Sequence, residues 1–118
     1  MKYVDGFVLC VPKKNLAAYR RMASKAGKIW REYGALDYKE CLGDDIASSW
    51  GGMTFIQMAK PKRGETVLFS WIVYKSKAQR DKIVAKVMKD PRLMPETKSM
   101  PFDVKRMVWG GFKVLVES

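Results

Sequence analysis

The run Glu65 to Tyr74, ETVLFSWIVY, constrains the fold more than any other part of the chain, because it is almost unbroken in aromatic, aliphatic and β-branched residues. In an extended segment successive side chains point to opposite faces. Phe69 and Trp71 then lie on one side, and Leu68, Ile72 and Tyr74 on the other. A strand apolar on both faces has to be covered on both, which places it centrally in a sheet. Two further segments alternate in the same way. Over Tyr3 to Val11, Tyr3, Asp5, Phe7 and Leu9 share one face and Val4, Gly6, Val8 and Cys10 the other, and Pro12 stops the ladder. Over Ala35 to Leu42, Leu36, Tyr38, Glu40 and Leu42 share a face. A last strand is expected over Met107 to Val116, and a short edge strand over Met53 to Ala59.

Between the strands the period changes from 2 to 3.6. Leu16, Tyr19, Met22, Ala23, Ala26, Ile29, Trp30 and Tyr33 recur at helical spacing, so residues 14–33 are predicted to form an amphipathic helix, with Asn15 as its cap and Gly34 as its stop. Ser76 followed by Gln79 is a capping-box signature. It opens a second helix running to about Lys89, with Ile83, Val84, Val87 and Met88 inward and Asp90-Pro91 as its end. The order β-α-β, connection, β-α-β predicts one α+β domain over residues 1–118, a ferredoxin-like βαββαβ fold with an antiparallel sheet. Both helices then cover the same face of the sheet. The other face remains strongly apolar, which is unusual for a monomer. A homodimer packing two such sheets face to face, a dimeric α/β barrel, covers it.

Lys and Arg total 23 against 12 Asp and Glu, a net charge of +11, and there is no histidine. Without histidine, Ser-His-Asp and Cys-His catalysis, His-ligated haem and Cys/His zinc sites are excluded. The two cysteines, Cys10 and Cys41, have no CxxC spacing and read as buried free thiols. No metal and no cofactor is expected. No apolar run reaches the length of a membrane span, and the opening Met1-Lys2-Tyr3-Val4-Asp5-Gly6 does not read as a signal peptide. The expected setting is therefore cytoplasmic and away from the membrane. The positive charge is either a solvated basic face or a surface for an acidic partner.

Asp5, a carboxylate between Tyr3 and Phe7 in an apolar strand, needs a partner. Arg106, before the last strand, is the first candidate. The pair is either structural or part of a ligand site in the barrel, with Asp5 as acid or base, Arg106 as anion or oxyanion partner and Tyr74 as hydrogen-bond donor. Ser99 to Asp103 with Lys105 and Arg106 reads either as an anion clamp or as a turn in which Asp103 caps backbone donors. Gly110-Gly111 inside a strand predicts a bulge or a close approach by a ligand or a bulky side chain. Trp71 and Trp109 are candidates for the walls of an aromatic pocket, with core packing as the alternative. There is neither a GxGxxG nor a P-loop motif.

Several co-linear stretches resemble a known family. They are MKYVDGFV at the N-terminus, Pro12-Lys13-Lys14 leading to Ala18-Tyr19-Arg20, Phe69 to Tyr74 with Ser76, Arg80-Asp81, and Met88 with Asp90-Pro91-Arg92. Above all they include Ser99-Met100-Pro101-Phe102-Asp103, Lys105-Arg106-Met107 and Gly110-Gly111-Phe112. They are similar to the bacterial YbaA-like family, domain of unknown function 1428. The chain departs from the family pattern at Val104 and Trp109, and resembles it least over 43–64. The resemblance implies a ferredoxin-like fold in the dimeric α/β-barrel superfamily and a cytoplasmic setting.

Three functions follow. The first is a homodimer that binds a small molecule, anionic ones included, in or beside the barrel cavity through Asp5, Trp71, Tyr74, Asp103, Lys105, Arg106 and Trp109. The second is a nonspecific basic nucleic-acid-binding protein, which ranks lower because the strand at 65–74 lacks an RNA-recognition signature. The third, by fold analogy, is a cofactor-free monooxygenase- or isomerase-like enzyme.

Overall fold

The computed structural model describes residues 1–48, 50–93 and 100–118. Its elements are β1 (Tyr3–Pro12), α1 (Leu16–Glu32), β2 (Asp37–Leu42), α2 (Phe55–Ala59), β3 (Glu65–Tyr74), α3 (Lys77–Val87) and β4 (Val108–Lys113). Single 3-10 turns occupy Lys13–Asn15, Pro91–Leu93 and Val104–Arg106. The strands form one sheet in the order β2-β3-β1-β4, with every neighbouring pair antiparallel. The predicted ferredoxin-like α+β topology is what the chain adopts, and β3 runs between the expected residues.

Residues directly opposite across an antiparallel pair share a face. One face therefore holds Tyr3, Asp5, Phe7, Leu9 and Val11 of β1 beside Leu68, Ser70, Ile72 and Tyr74 of β3. The buried residues of α1 and α3 pack on this face, in two clusters. One gathers Tyr3, Ile72 and Tyr74 with Ile83 and Val87 of α3. The other gathers Leu9, Val11 and Leu68 with Tyr19 and Ala23 of α1. The opposite face carries Val4, Val8, Phe69, Trp71, Val73, Val108 and Phe112, and among the described residues only its end near Cys10 and Val67 is covered, by α2. There the Phe55 ring meets Phe69 edge-on at 5.8 Å, and the Cys10 thiol donates to the Ala59 carbonyl at 3.6 Å.

Three local expectations are corrected. Met53 to Ala59 is not an edge strand. Thr54 Oγ1 accepts from the Gln57 N–H at 3.0 Å, and the Gln57 side chain accepts from the Thr54 N–H at 2.8 Å. This reciprocal capping box starts α2, and Lys60, left-handed at φ 50°, ends it. Asn15 does not cap α1 with its side chain, because its amide donates instead to the Pro101 carbonyl at 3.0 Å. Met88 lies beyond the end of α3 and is exposed. Ser76 does cap α3, accepting from the Gln79 N–H at 3.1 Å.

Candidate functional site

Between the two core clusters one row of side chains crosses all four strands on the helix-covered face. Glu40 stands opposite Ser70, Ser70 opposite Phe7, and Phe7 opposite Trp109. Ser70 is small where its neighbours Leu68 and Ile72 are large, so the layer under α1 is not filled at this row. A cavity of about 150 Å³ results, walled by Phe7, Leu9, Ile72, Trp30, Tyr19 and Tyr38, with Glu40 and Ser70 as polar members. Gly27 lets α1 lie against the Tyr38 ring, since a Cβ there would stand 2.7 Å from that ring. Outside the cavity, a groove of about 1290 Å³ runs between α1 and the edge strand β2. It shares Tyr19, Tyr38 and Glu40 with the cavity, and Arg20 and Lys28 of α1 stand along its rim. Glu40 is thus at the neck between groove and cavity.

The neck is tightly bonded. Tyr19 donates to Glu40 Oε1 at 2.8 Å and Tyr38 donates to Oε2 at 2.7 Å. Burial and the adjacent Glu40 charge push both phenols well above their ordinary pKa, so both stay protonated. Deeper in, Trp30 Nε1 donates to the Tyr74 hydroxyl at 3.0 Å. Ser70 is only 5% exposed, and its hydroxyl takes no part in the hydrogen bonds of the described residues.

Tyr74 joins this cavity wall to a second buried group. Asp5 is 3% exposed. Burial pushes its carboxyl pKa up, while a hydrogen bond from Tyr74 and the charge of Arg80 pull it part of the way back. Arg80 Nη1 stands 3.8 Å from Asp5 Oδ1, too far for a hydrogen bond. The same guanidinium donates to the Tyr3 hydroxyl at 3.2 Å and lies 3.3 Å from an Asp81 oxygen. Asp5 Oδ1 and Arg80 Nε are both buried without a hydrogen-bond partner. Gly111 sits opposite Asp5 without a bulge in the pairing. Its close neighbour is a side chain: a Cβ there would lie 2.7 Å from the Tyr3 ring and 2.9 Å from Arg80.

Arg106 is not the partner of Asp5. The β1–β4 register pairs Val8 with Val108 and Asp5 with Gly111, so Arg106 falls level with Cys10. That is about five residues, or ~17 Å, along the strand from Asp5. Arg106 instead grips Glu65 with two bonds, Nη1 to Oε2 and Nη2 to Oε1, both 2.9 Å. Asp103 accepts from the Lys105 N–H at 3.1 Å, the capping alternative, while Lys105 is exposed. Ser99, the first residue of the expected anion clamp, lies outside the described residues, and the guanidinium that the clamp needed is held by Glu65. Trp71 and Trp109 do not wall one pocket, because the strand parity puts them on opposite faces. Trp71 donates to Asp37 Oδ2 at 3.2 Å on the open face, and Trp109 stacks on Phe7 at 6.4 Å on the helix-covered face.

Of the residues singled out from the sequence, Asp5 and Tyr74 are therefore brought together, and Asp103, Lys105 and Arg106 lie at the far end of β1. Sequence reasoning missed Tyr19, Glu40, Ser70 and Arg80. Signals for three of them were present: Tyr19 is the one hydroxyl inside the first apolar turns of α1, Glu40 shares the inward parity of β2, and Ser70 interrupts an apolar run.

Among the described residues no group of three or more His, Cys, Asp or Glu could hold a metal ion, and no helix is long and apolar enough to cross a membrane. The chain belongs to the family described as "Protein of unknown function (DUF1428)", whose model matches residues 2–104. It is 48% identical over 118 residues to the "Uncharacterized protein YbaA" of Escherichia coli K12, covering 99% of both chains. Two solved structures share the fold across nearly their whole lengths. Rv0793 from Mycobacterium tuberculosis matches with a TM-score of 0.56 at 15% identity, covering 100% of this chain and 99% of that one. A dimeric ferredoxin-like protein from an uncultured marine organism matches with a TM-score of 0.58 at 10% identity, covering 100% of both.

Proposed function

We propose that this protein is a homodimer that binds a small molecule between α1 and the sheet. The observation that carries the reading is the cavity of about 150 Å³ at the Glu40–Ser70–Phe7 row, apolar and aromatic on its walls with a few converging polar groups, and continuous with the groove beside β2. That combination is the usual make-up of a ligand site. The basic rim favours a ligand whose outer end is anionic, because Arg20 and Lys28 belong to no ion pair among the described residues. Asp5 and Tyr74 stand behind the wall, reached through Trp30, and support its shape. Trp109 closes the row on the β4 side.

The dimer follows from the open face. Phe69 is 41% exposed, Val108 58% and Phe112 63%, all on one side of the sheet. A second copy laid on this face covers them and leaves the groove beside β2, on the other side of the sheet, free to admit ligand. The description of one fold neighbour as dimeric supports this arrangement.

A thermal-shift screen of small aromatic molecules against the wild type and Ser70→Leu tests the reading, with light scattering on the same samples. Leucine at 70 fills the cavity floor. The expected result is a particle of twice the 13.5 kDa chain mass whose melting temperature ligands raise, with the rise lost in a folded Ser70→Leu protein. Ligands that stabilise both proteins equally, or a monomer at micromolar concentration, would overturn it.

A further inference from the structure

We infer that the molecule this cavity accepts carries a protonated amine, held at the neck by Glu40 among the rings of Tyr19, Trp30 and Tyr38. The inference rests on the small-molecule reading above and names the ligand class. The donors and acceptors at the neck are unevenly matched. A carboxylate is acceptor-only, with room for about four hydrogen bonds. The two phenols use one position on each Glu40 oxygen, at 2.8 and 2.7 Å, and leave the rest open. Because both phenols spend their single proton on Glu40, they offer an incoming group only lone pairs. Trp30 and Trp71, which also border the cavity, have already donated their N–H groups, to Tyr74 and to Asp37. Apart from the Ser70 hydroxyl, which can act either way, the polar side chains of the cavity present acceptors.

An ammonium group is the complement of such a surface, having three donors and no acceptor. A carboxylate or phosphate in the same place would meet lone pairs on every side. The charge count agrees. Lys39 also borders the cavity, but the parity of β2 sends its side chain to the opposite face, where it pairs with Asp37. Among the described residues that line the cavity, Glu40 then carries the one charge on its helix-covered side. The rings add to the attraction, since a cation near the faces of tryptophan and tyrosine is drawn by their quadrupoles. Trp30 and Tyr38 stand 6.4 Å apart at 41°, angled around the neck. The volume of about 150 Å³ restricts the body of the ligand to a small aryl or short alkyl group. An amine that also carries an anionic group can place the ammonium at Glu40 and the anion in the groove by Arg20 and Lys28.

Three matched probes test this: 2-phenylethylamine, 2-phenylethanol and 3-phenylpropionate. They share a body and differ in the end group. Affinities are read by nuclear magnetic resonance titration on the wild type, Glu40→Gln and Ser70→Leu. The amine is expected to bind the wild type at least tenfold more tightly than the alcohol, and the propionate more weakly still. Glu40→Gln should erase the preference for the amine, and Ser70→Leu should weaken all three probes. If Glu40→Gln does not fold, Glu40→Asp, which withdraws the carboxylate by one methylene, should reduce the preference. Propionate or alcohol binding most tightly, or an amine preference that survives loss of the carboxylate, would overturn the amine assignment. If those probes still lose binding in Ser70→Leu, the cavity reading stands without it. Failure of all three to bind the wild type would overturn both.

Discussion

At the two ends of β1 an arginine faces an acid, and the two pairs behave in opposite ways. Glu65 and Arg106 meet with two parallel bonds of 2.9 Å, and Lys62 adds a backbone N–H to the same carboxylate. The glutamate pKa is lowered, chiefly by the bonds from Arg106. Asp5 and Arg80 approach only to 3.8 Å, with an unpartnered atom on each side, and the aspartate pKa is raised, chiefly by burial. Bidentate arginine–carboxylate pairs are the strong ones. A buried charge held by a single loose contact does not recover what desolvation costs. The first pair is therefore a brace and the second a strained polar pocket, kept in place by the packing of Tyr3, Tyr74 and Gly111 around it.

The largest expected effect attacks that packing. Gly111→Ala pushes a Cβ against the Tyr3 ring and Arg80, both held from behind by the core and by Asp81. Overpacking of this kind costs about 3 kcal/mol, or roughly 10 °C in Tm for a domain of this size. Scanning calorimetry checks it, and an unchanged Tm would mean that the Asp5 end is looser than its geometry.

The brace comes next. Glu65→Gln removes the charge from the bidentate pair and should lower Tm by roughly 4 °C at pH 7. Arg106→Lys should fall almost as far, because one ammonium cannot reproduce two parallel bonds. The pH dependence has a definite sign. The folded pKa of Glu65 lies below its unfolded value. Its contribution to stability is full above the unfolded value and is lost as the pH falls through the folded one. Glu65→Gln and wild type should therefore converge in acid.

The smallest effect distinguishes the pairs most sharply. The folded pKa of Asp5 lies above its unfolded value, so Asp5 contributes stability at low pH and loses it as the pH rises through the folded value. Asparagine at 5 keeps an acceptor for Tyr74 and carries no charge. Asp5→Asn should lie within about 1 kcal/mol of wild type at pH 7 and gain on it between acid and neutral pH, the reverse of Glu65→Gln. Denaturant melts at a series of pH values measure both. If Asp5→Asn loses stability toward neutral pH, Asp5 and Arg80 form a tight pair after all.

The strands and helices were legible because their evidence is local. Alternation over Tyr3 to Val11 and Glu65 to Tyr74 needs no partner to be read, and the helical stripe from Leu16 to Tyr33 is equally self-contained. The capping box that starts α2 was also local, but Phe55, Ile56 and Met58 in so short a stretch imitate a strand. The site was far less legible. Asp5 and Tyr74 stood out as buried polar groups in apolar strands, and they do meet. Glu40, Ser70 and Tyr19 each looked ordinary, since each becomes informative only beside the other two.

The element order, the central place of β3, the two faces of β1 and the excess of apolar surface can be read from the chain alone, since all of these depend on period and composition along one stretch of it. Which residues meet is settled by the folded packing. The β1–β4 register sent Arg106 to Glu65 and left Asp5 to Arg80, and the pairings of β2 with β3 and of β3 with β1 aligned Glu40, Ser70 and Phe7 beneath α1. A strand period of 2 says which face a side chain occupies but nothing about its level along the neighbouring strand. That level is set by the summed packing of the whole sheet and its helices.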